Sequence, residues 1–144
     1  MKTQQKKFKI AILEDSDFYN RLITKQIENF VKRLELDKNI EIKVKSYVKP
    51  EQFLWEINDD IDIAFLDYYL GNGFTASYVM RKLRQYCRNC RVVIISQARN
   101  MYTVTKSKAE GASAFIHKDK NLLARTCFII EDEINARSGL RRYA

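Results

Sequence analysis

Two short apolar runs constrain this chain more than any other feature: Ile61-Asp62-Ile63-Ala64-Phe65-Leu66-Asp67 and Arg91-Val92-Val93-Ile94-Ile95-Ser96, each ending on a polar side chain. A strand with one face in water alternates apolar and polar residues. A run that is apolar on both sides has to be covered on both faces, as the central strands of parallel sheets are. Phe8-Lys9-Ile10-Ala11-Ile12-Leu13 is a similar run that stops on Glu14-Asp15, and Ala114-Phe115-Ile116-His117 is a shorter one that stops before Lys118. Ile40, Ile42 and Val44 instead alternate with Glu41, Lys43 and Lys45, the period of a half-exposed strand at a sheet's edge.

Helical periods separate these strands. Ser16 or Asp17 can cap a first helix, whose apolar positions are Phe18, Leu22, Ile27, Phe30, Val31 and Leu34. Pro50 suits the first turn of a short helix running to about Ile57, with Phe53, Leu54, Ile57 and Trp55 as packing groups. Val79, Leu83 and Tyr86 mark a third helix from near Thr75, and a polar fourth runs from about Asn100 to Glu110, stopped by Gly111. Leu123, Cys127, Ile130 and Ile134 give the last helix its buried stripe. Strand and helix thus alternate five times, which predicts an α/β fold: a five-stranded parallel sheet with helices on both faces and right-handed crossovers.

A chain of 144 residues suits one domain with a core that needs no disulfide or structural metal. The formal charge of +8 is compatible with an acidic partner, nucleic acid or an anionic membrane, and its sign chooses none of them. Part of the excess lies near the ends, at Lys2, Lys6, Lys7 and Lys9 and at Arg137, Arg141 and Arg142, where solvation explains it. The expected division is a basic tail over 1–7, a domain over 8–137, and a tail or linker start over 138–144 containing Ser138-Gly139-Leu140. The apolar run from Phe8 to Leu13 is too short for a signal-peptide core or a membrane span, so a cytoplasmic protein is expected. Cys87 and Cys90 form a C-x-x-C, but it falls between a helix and a strand instead of opening a helix, and only Cys127 and His117 remain as soft ligands; a structural role is expected.

All strands of a parallel sheet end along one edge. Glu14 and Asp15, Asp67, Ser96 and Lys118 therefore converge there. Three adjacent carboxylates repel unless a cation joins them, and Mg²⁺, a hard ion that takes oxygen ligands only, suits the set.

In this order and on these elements, Glu14-Asp15, Leu66-Asp67, Ser96 and the stretch Gly111-Ala112-Ser113-Ala114-Phe115-Ile116-His117-Lys118 resemble the receiver domain of two-component response regulators, over roughly Phe8 to Ala136. The resemblance implies the flavodoxin-like receiver fold with strand order 2-1-3-4-5. It implies that Asp67 is the phospho-acceptor, taking a phosphoryl group from a sensor histidine kinase or a phosphotransfer protein. Asp15 and Asp67, Glu14 directly or through water, and the Tyr69 backbone carbonyl would hold Mg²⁺; Ser96 and Lys118 would contact the phosphate. Ser96 and Phe115 would form the switch that changes the surface of the last helices and strand. A downstream protein target, a possible phosphorylation-linked homodimer, no direct nucleic-acid or membrane partner and no enzymatic turnover of a separate substrate are implied with it.

The chain departs from the family's pattern at several points. Asp119 stands where a Pro usually follows the Lys, so the bond before it is expected to be trans, Asp119 to cap the fifth helix, and Lys118 to reach the site with more freedom. Gly71 replaces a common Pro after Leu70, Thr75 a Gly eight residues beyond Asp67, and Gln97 a small residue after Ser96. The alternatives are a degenerate receiver acting as a phosphorylation-independent interaction module, a nucleic-acid-binding module suggested by charge, and an Asp-nucleophile phosphohydrolase. The last wants a second Asp where Tyr69 stands.

Overall fold

The computed structural model describes residues 6–57, 60–97 and 100–143. Strands and helices alternate as β1 (Lys6–Leu13), α1 (Asp17–Lys38), β2 (Ile40–Tyr47), α2 (Pro50–Glu56), β3 (Ile63–Asp67), α3 (Ala76–Tyr86), β4 (Arg91–Ser96), α4 (Met101–Ala109), β5 (Ala114–His117) and α5 (Leu122–Tyr143). The strands form one parallel sheet in the order β2-β1-β3-β4-β5. Of the stretch read as a basic tail, residues 1–5 lie outside the described residues, while Lys6 and Lys7 already pair with Ile40 and Glu41. At the other end α5 runs on through Ser138-Gly139-Leu140 to Tyr143.

The apolar runs fold as two-sided strands because alternate residues feed two cores. Ile10, Ile12, Ile63, Phe65, Val93 and Ile95 pack with Ile23 and Ile27 of α1 and Ile130 and Ile134 of α5. Ala11, Leu13, Ala64, Leu66, Val92 and Ile94 pack on the other face with Phe53 of α2 and Val79, Met80 and Leu83 of α3. Burying that surface at roughly 25 cal/mol per Å² is the main drive to fold, and it fixes the strand register, since a one-residue slip would exchange the two cores.

Helix phases differ from the expected ones in three places. The buried residues of α1 are Asn20, Ile23, Ile27, Val31 and Leu34, so Phe18 faces solvent and Ile23 replaces Leu22. Trp55, expected to pack, is 89% exposed on the outer side of α2. In α5 the buried set is Leu122, Thr126, Ile129, Ile130 and Ile134, with Leu123 and Cys127 only half-buried. Thr126 can be fully buried because its hydroxyl donates to the Leu122 carbonyl at 2.7 Å. Cys87 and Cys90 are buried, free thiols in the α2–α3 core. No helix among the described residues is long and apolar enough to cross a membrane.

Candidate functional site

Along the sheet's C-terminal edge, Glu14 and Asp15 follow β1, Asp67 closes β3, Ser96 closes β4 and Lys118 follows β5. The sheet hydrogen bonding carries past the strand ends: Tyr68 N–H donates to the Ile95 carbonyl and Lys118 N–H to the Ser96 carbonyl. These side chains therefore sit on rigid backbone. Asp15, Asp67, Ser96 and Lys118, with Ser16, Tyr19, Tyr69 and Gln97, line a cavity of about 300 Å³.

One carboxylate oxygen each from Glu14, Asp15 and Asp67 lies within 4.8 Å of the other two. Glu14 and Asp67 are buried while Asp15 is exposed at the mouth. Lys118 supplies a cationic side chain, its ammonium 2.5 Å from Glu14 Oε1 and 3.5 Å from Asp67 Oδ1. The Glu14 contact is an ion pair without hydrogen-bond alignment, so Oε1 has no hydrogen-bond partner, whereas Oε2 accepts the Ser16 N–H at 3.1 Å. Among the described residues, three acids face one ammonium in a confined place. The consequence falls on Asp67, whose pKa is pushed up to about 9, first by burial and then by Glu14, against the pull of Lys118. Burial and Glu14 thus favour the protonated form of Asp67 unless a further cation joins the set.

The expected site residues are brought together with one exception. Phe115 is half-buried one strand away, its ring 5.3 Å from that of His117 and packed on the α2–α3 side. Ser96 is buried at the base of the cavity, and exposed Tyr69 stands at its rim. The bond between Lys118 and Asp119 is trans, and Asp119 accepts the Asn121 N–H at 2.8 Å just before α5, as a capping acid should. The freedom expected for Lys118 is not observed. Its side chain is 6% exposed and is held by Glu14, by Asp67 and by the Tyr19 ring, whose centre is 4.4 Å from the ammonium.

One supporting residue escaped the sequence reading, and another, Gly71, was read there only as a departure from the family's pattern. Asn20 is buried at the top of α1 and donates to the carbonyls of both Glu14 and Tyr47 at 3.0 Å, tying β1 and β2 together where Glu14 leaves the sheet. The signal was available, because Asn20 stands in phase with Ile23, Ile27, Val31 and Leu34. Gly71, at φ +74, brings its loop so close that a Cβ there would lie 3.3 Å from Asp15 Oδ2.

No protein-family profile matches the chain, and neither does a curated protein sequence. Solved structures do match. The chain is similar to a response regulator receiver domain protein from Clostridium thermocellum at a TM-score of 0.72 and 16% identity, covering 92% of this chain and 98% of that one. A CheY-like receiver domain protein from Methanospirillum hungatei gives 0.64 and 17%, covering 94% and 99%. The BeF3-activated receiver domain of DrrB gives 0.71 and 15%, covering 89% and 97%. The fold is therefore that of response-regulator receiver domains, over nearly the whole chain.

Proposed function

We propose that this protein is a phospho-accepting receiver that takes a phosphoryl group on Asp67 with Mg²⁺ bound. The observation that carries the proposal is the convergence of Glu14, Asp15 and Asp67 with Lys118 bridging two of them, at the strand-end position where open α/β sheets hold their ligands. The acid set fits the ion: opposite ligands of a six-coordinate Mg²⁺ are about 4.2 Å apart at its usual bond lengths, and the three oxygens lie within 4.8 Å. Glu14, Asp15, Asp67 and the Tyr69 carbonyl would hold it, and once bound it supplies charge neutralisation for the transferring phosphoryl oxygens.

The chain's own residues do the rest. A deprotonated Asp67 oxygen attacks the phosphorus of a phosphohistidine; the new O–P bond forms as the P–N bond breaks, and the electron pair leaves with the imidazole nitrogen, which takes up a proton. Lys118, already 3.5 Å from Asp67 Oδ1, is placed to exchange its Glu14 contact for a phosphoryl oxygen. The Ser96 hydroxyl offers a donor to another oxygen, and Phe115 would move as that hydroxyl turns, carrying the change to α4, β5 and α5. α4 suits such movement, because its buried residues are only Thr103 and Ser107, while Met101 and Tyr102 are exposed. A histidine kinase or phosphotransfer protein in the cytoplasm would be the donor, and a downstream protein, or a second copy of the chain, the reader.

Incubation with acetyl phosphate and Mg²⁺ followed by intact-mass measurement tests the reading. One phosphate adduct is expected for the wild type and none for Asp67→Asn or without divalent ion. A wild type that stays unmodified would favour the degenerate receiver, acting through protein contacts alone.

A further inference from the structure

The phosphoryl-transfer reading gives no task to Tyr19. This residue sits in the first turn of α1, where its N–H is bonded by the Ser16 side chain at 3.4 Å, and Phe18 packs edge-on against its ring at 5.4 Å between centroids. So fixed, the ring reaches over the site, its centre 4.4 Å from the Lys118 ammonium. Its hydroxyl accepts a hydrogen bond from Gln97 Nε2 at 3.2 Å. That bond joins the start of α1 to the residue that follows β4, and both partners line the cavity that holds Asp67.

The two ends of Tyr19 act on different things. An aromatic face attracts an ammonium through its quadrupole, most strongly where water is scarce, so the ring holds Lys118 against the acids. The hydroxyl accepts the Gln97 amide N–H and shapes the mouth. We propose that Tyr19 is a positioning residue for Lys118, and that the Tyr19–Gln97 bond is a bar across the cavity mouth that slows the passage of water and small phosphodonors to Asp67. The bar regulates the site read above as phospho-accepting and rests on that reading for its effect on phosphoryl lifetime. It selects for a donor whose own surface displaces the Gln97 side chain on docking, and it prolongs the acyl phosphate once formed.

The full chain with Mg²⁺ is compared with Tyr19→Phe, Gln97→Ala, the double variant and Tyr19→Leu. Tyr19→Phe and Gln97→Ala each lose the same hydrogen bond. Each is expected to speed both phosphorylation by phosphoramidate and hydrolysis of the adduct, by about three- to tenfold. The double variant should be no faster than either single one, because the bond can be lost only once. Tyr19→Leu also frees Lys118, so its phosphorylation should fall below that of Tyr19→Phe while its hydrolysis stays fast. Unchanged rates in the single variants, or multiplying effects in the double, overturn the bar.

A second measurement does not depend on phosphate. Amidination of Lys118 by methyl acetimidate, followed by peptide mass mapping, should be slow in the wild type, faster in Gln97→Ala and Tyr19→Phe, and fastest in Tyr19→Leu. Equal labelling in all four overturns the proposal. A wild type that takes no phosphate while its labelling follows this order overturns the reading of Asp67 and supports the bar.

Discussion

The two edges of the sheet assemble the same kinds of charged side chain to opposite effect. At the N-terminal edge, Arg137 bonds Asp62 at 2.7 Å, Glu133 at 2.9 Å and the carbonyls of Asn89 and Asp62, while Arg91 reaches Asp132 and Glu133 at 3.3 and 3.1 Å. Asp62 also accepts the Lys9 N–H at 2.8 Å. Two guanidinium groups there answer three carboxylates through aligned hydrogen bonds. Among the described residues at the C-terminal edge, three carboxylates share one ammonium, and Glu14 Oε1 is buried without a hydrogen bond. The first arrangement fastens α5 to β3 and β4. The second stores repulsion that a cation can release, so one edge spends its charge on stability and the other keeps it for binding.

The largest expected effect breaks the fastened edge. Arg137→Ala removes four contacts at once, to Asp62, to Glu133 and to the carbonyls of Asp62 and Asn89, around an Asp62 side chain only 14% exposed. A loss of about 2–3 kcal/mol is expected in urea unfolding. Arg137→Lys should recover part of it, because a point charge can keep one ion pair but not the fork. A change under about 0.5 kcal/mol, the range of ordinary surface substitutions, would mean that this network fastens nothing.

Removing an acid at the other edge should have the opposite sign. In metal-free protein at pH 8, folding must return to Asp67 a proton that the unfolded chain has released; Asp67→Asn needs none and is expected to stabilise by about 1–2 kcal/mol. The wild type should also lose stability as pH rises. The folded Asp67 holds a proton up to about pH 9, whereas the unfolded one releases it near 3.8, so proton binding favours the folded state fully below 3.8 and progressively less up to about 9. Thermal melts across that window should show a decline in the wild type that shrinks in Asp67→Asn and with saturating Mg²⁺. A wild-type curve that is flat with pH would remove the repulsion from the account.

That contrast was only half legible in the sequence. The strand ends were readable because a parallel sheet must align them, so Glu14, Asp15, Asp67, Ser96 and Lys118 followed from the alternation of elements alone. The network at the far edge was not, since Arg137 lies 75 residues from Asp62 and nothing local marks the pair. Helix phase failed where size was taken for burial. Phe18 and Trp55 are large and exposed, and Asn20 and Thr126 are polar and buried because their hydrogen bonds are met inside the fold. Tyr19 was invisible for a related reason, as its importance lies in what its ring and hydroxyl reach across the cavity.

The smallest expected effect asks whether the loop after β3 helps set the charge of the binding edge. Gly71 and Gly73 both have positive φ, +74 and +79, so alanine at either costs about 1 kcal/mol of backbone strain. Their surroundings differ. A Cβ at Gly71 would press on Asp15 Oδ2 at 3.3 Å, while one at Gly73 would meet nothing within 4 Å. Both variants should therefore lose similar stability, but only Gly71→Ala should weaken Mg²⁺ binding, by about three- to tenfold, since displacing a group that orients a ligand commonly costs that much or more. Titration calorimetry on the pair separates strain from positioning. Equal Mg²⁺ affinities would show that Asp15 adjusts freely and that the loop only closes the turn, leaving the repulsion at this edge to be set by Glu14 and Asp67.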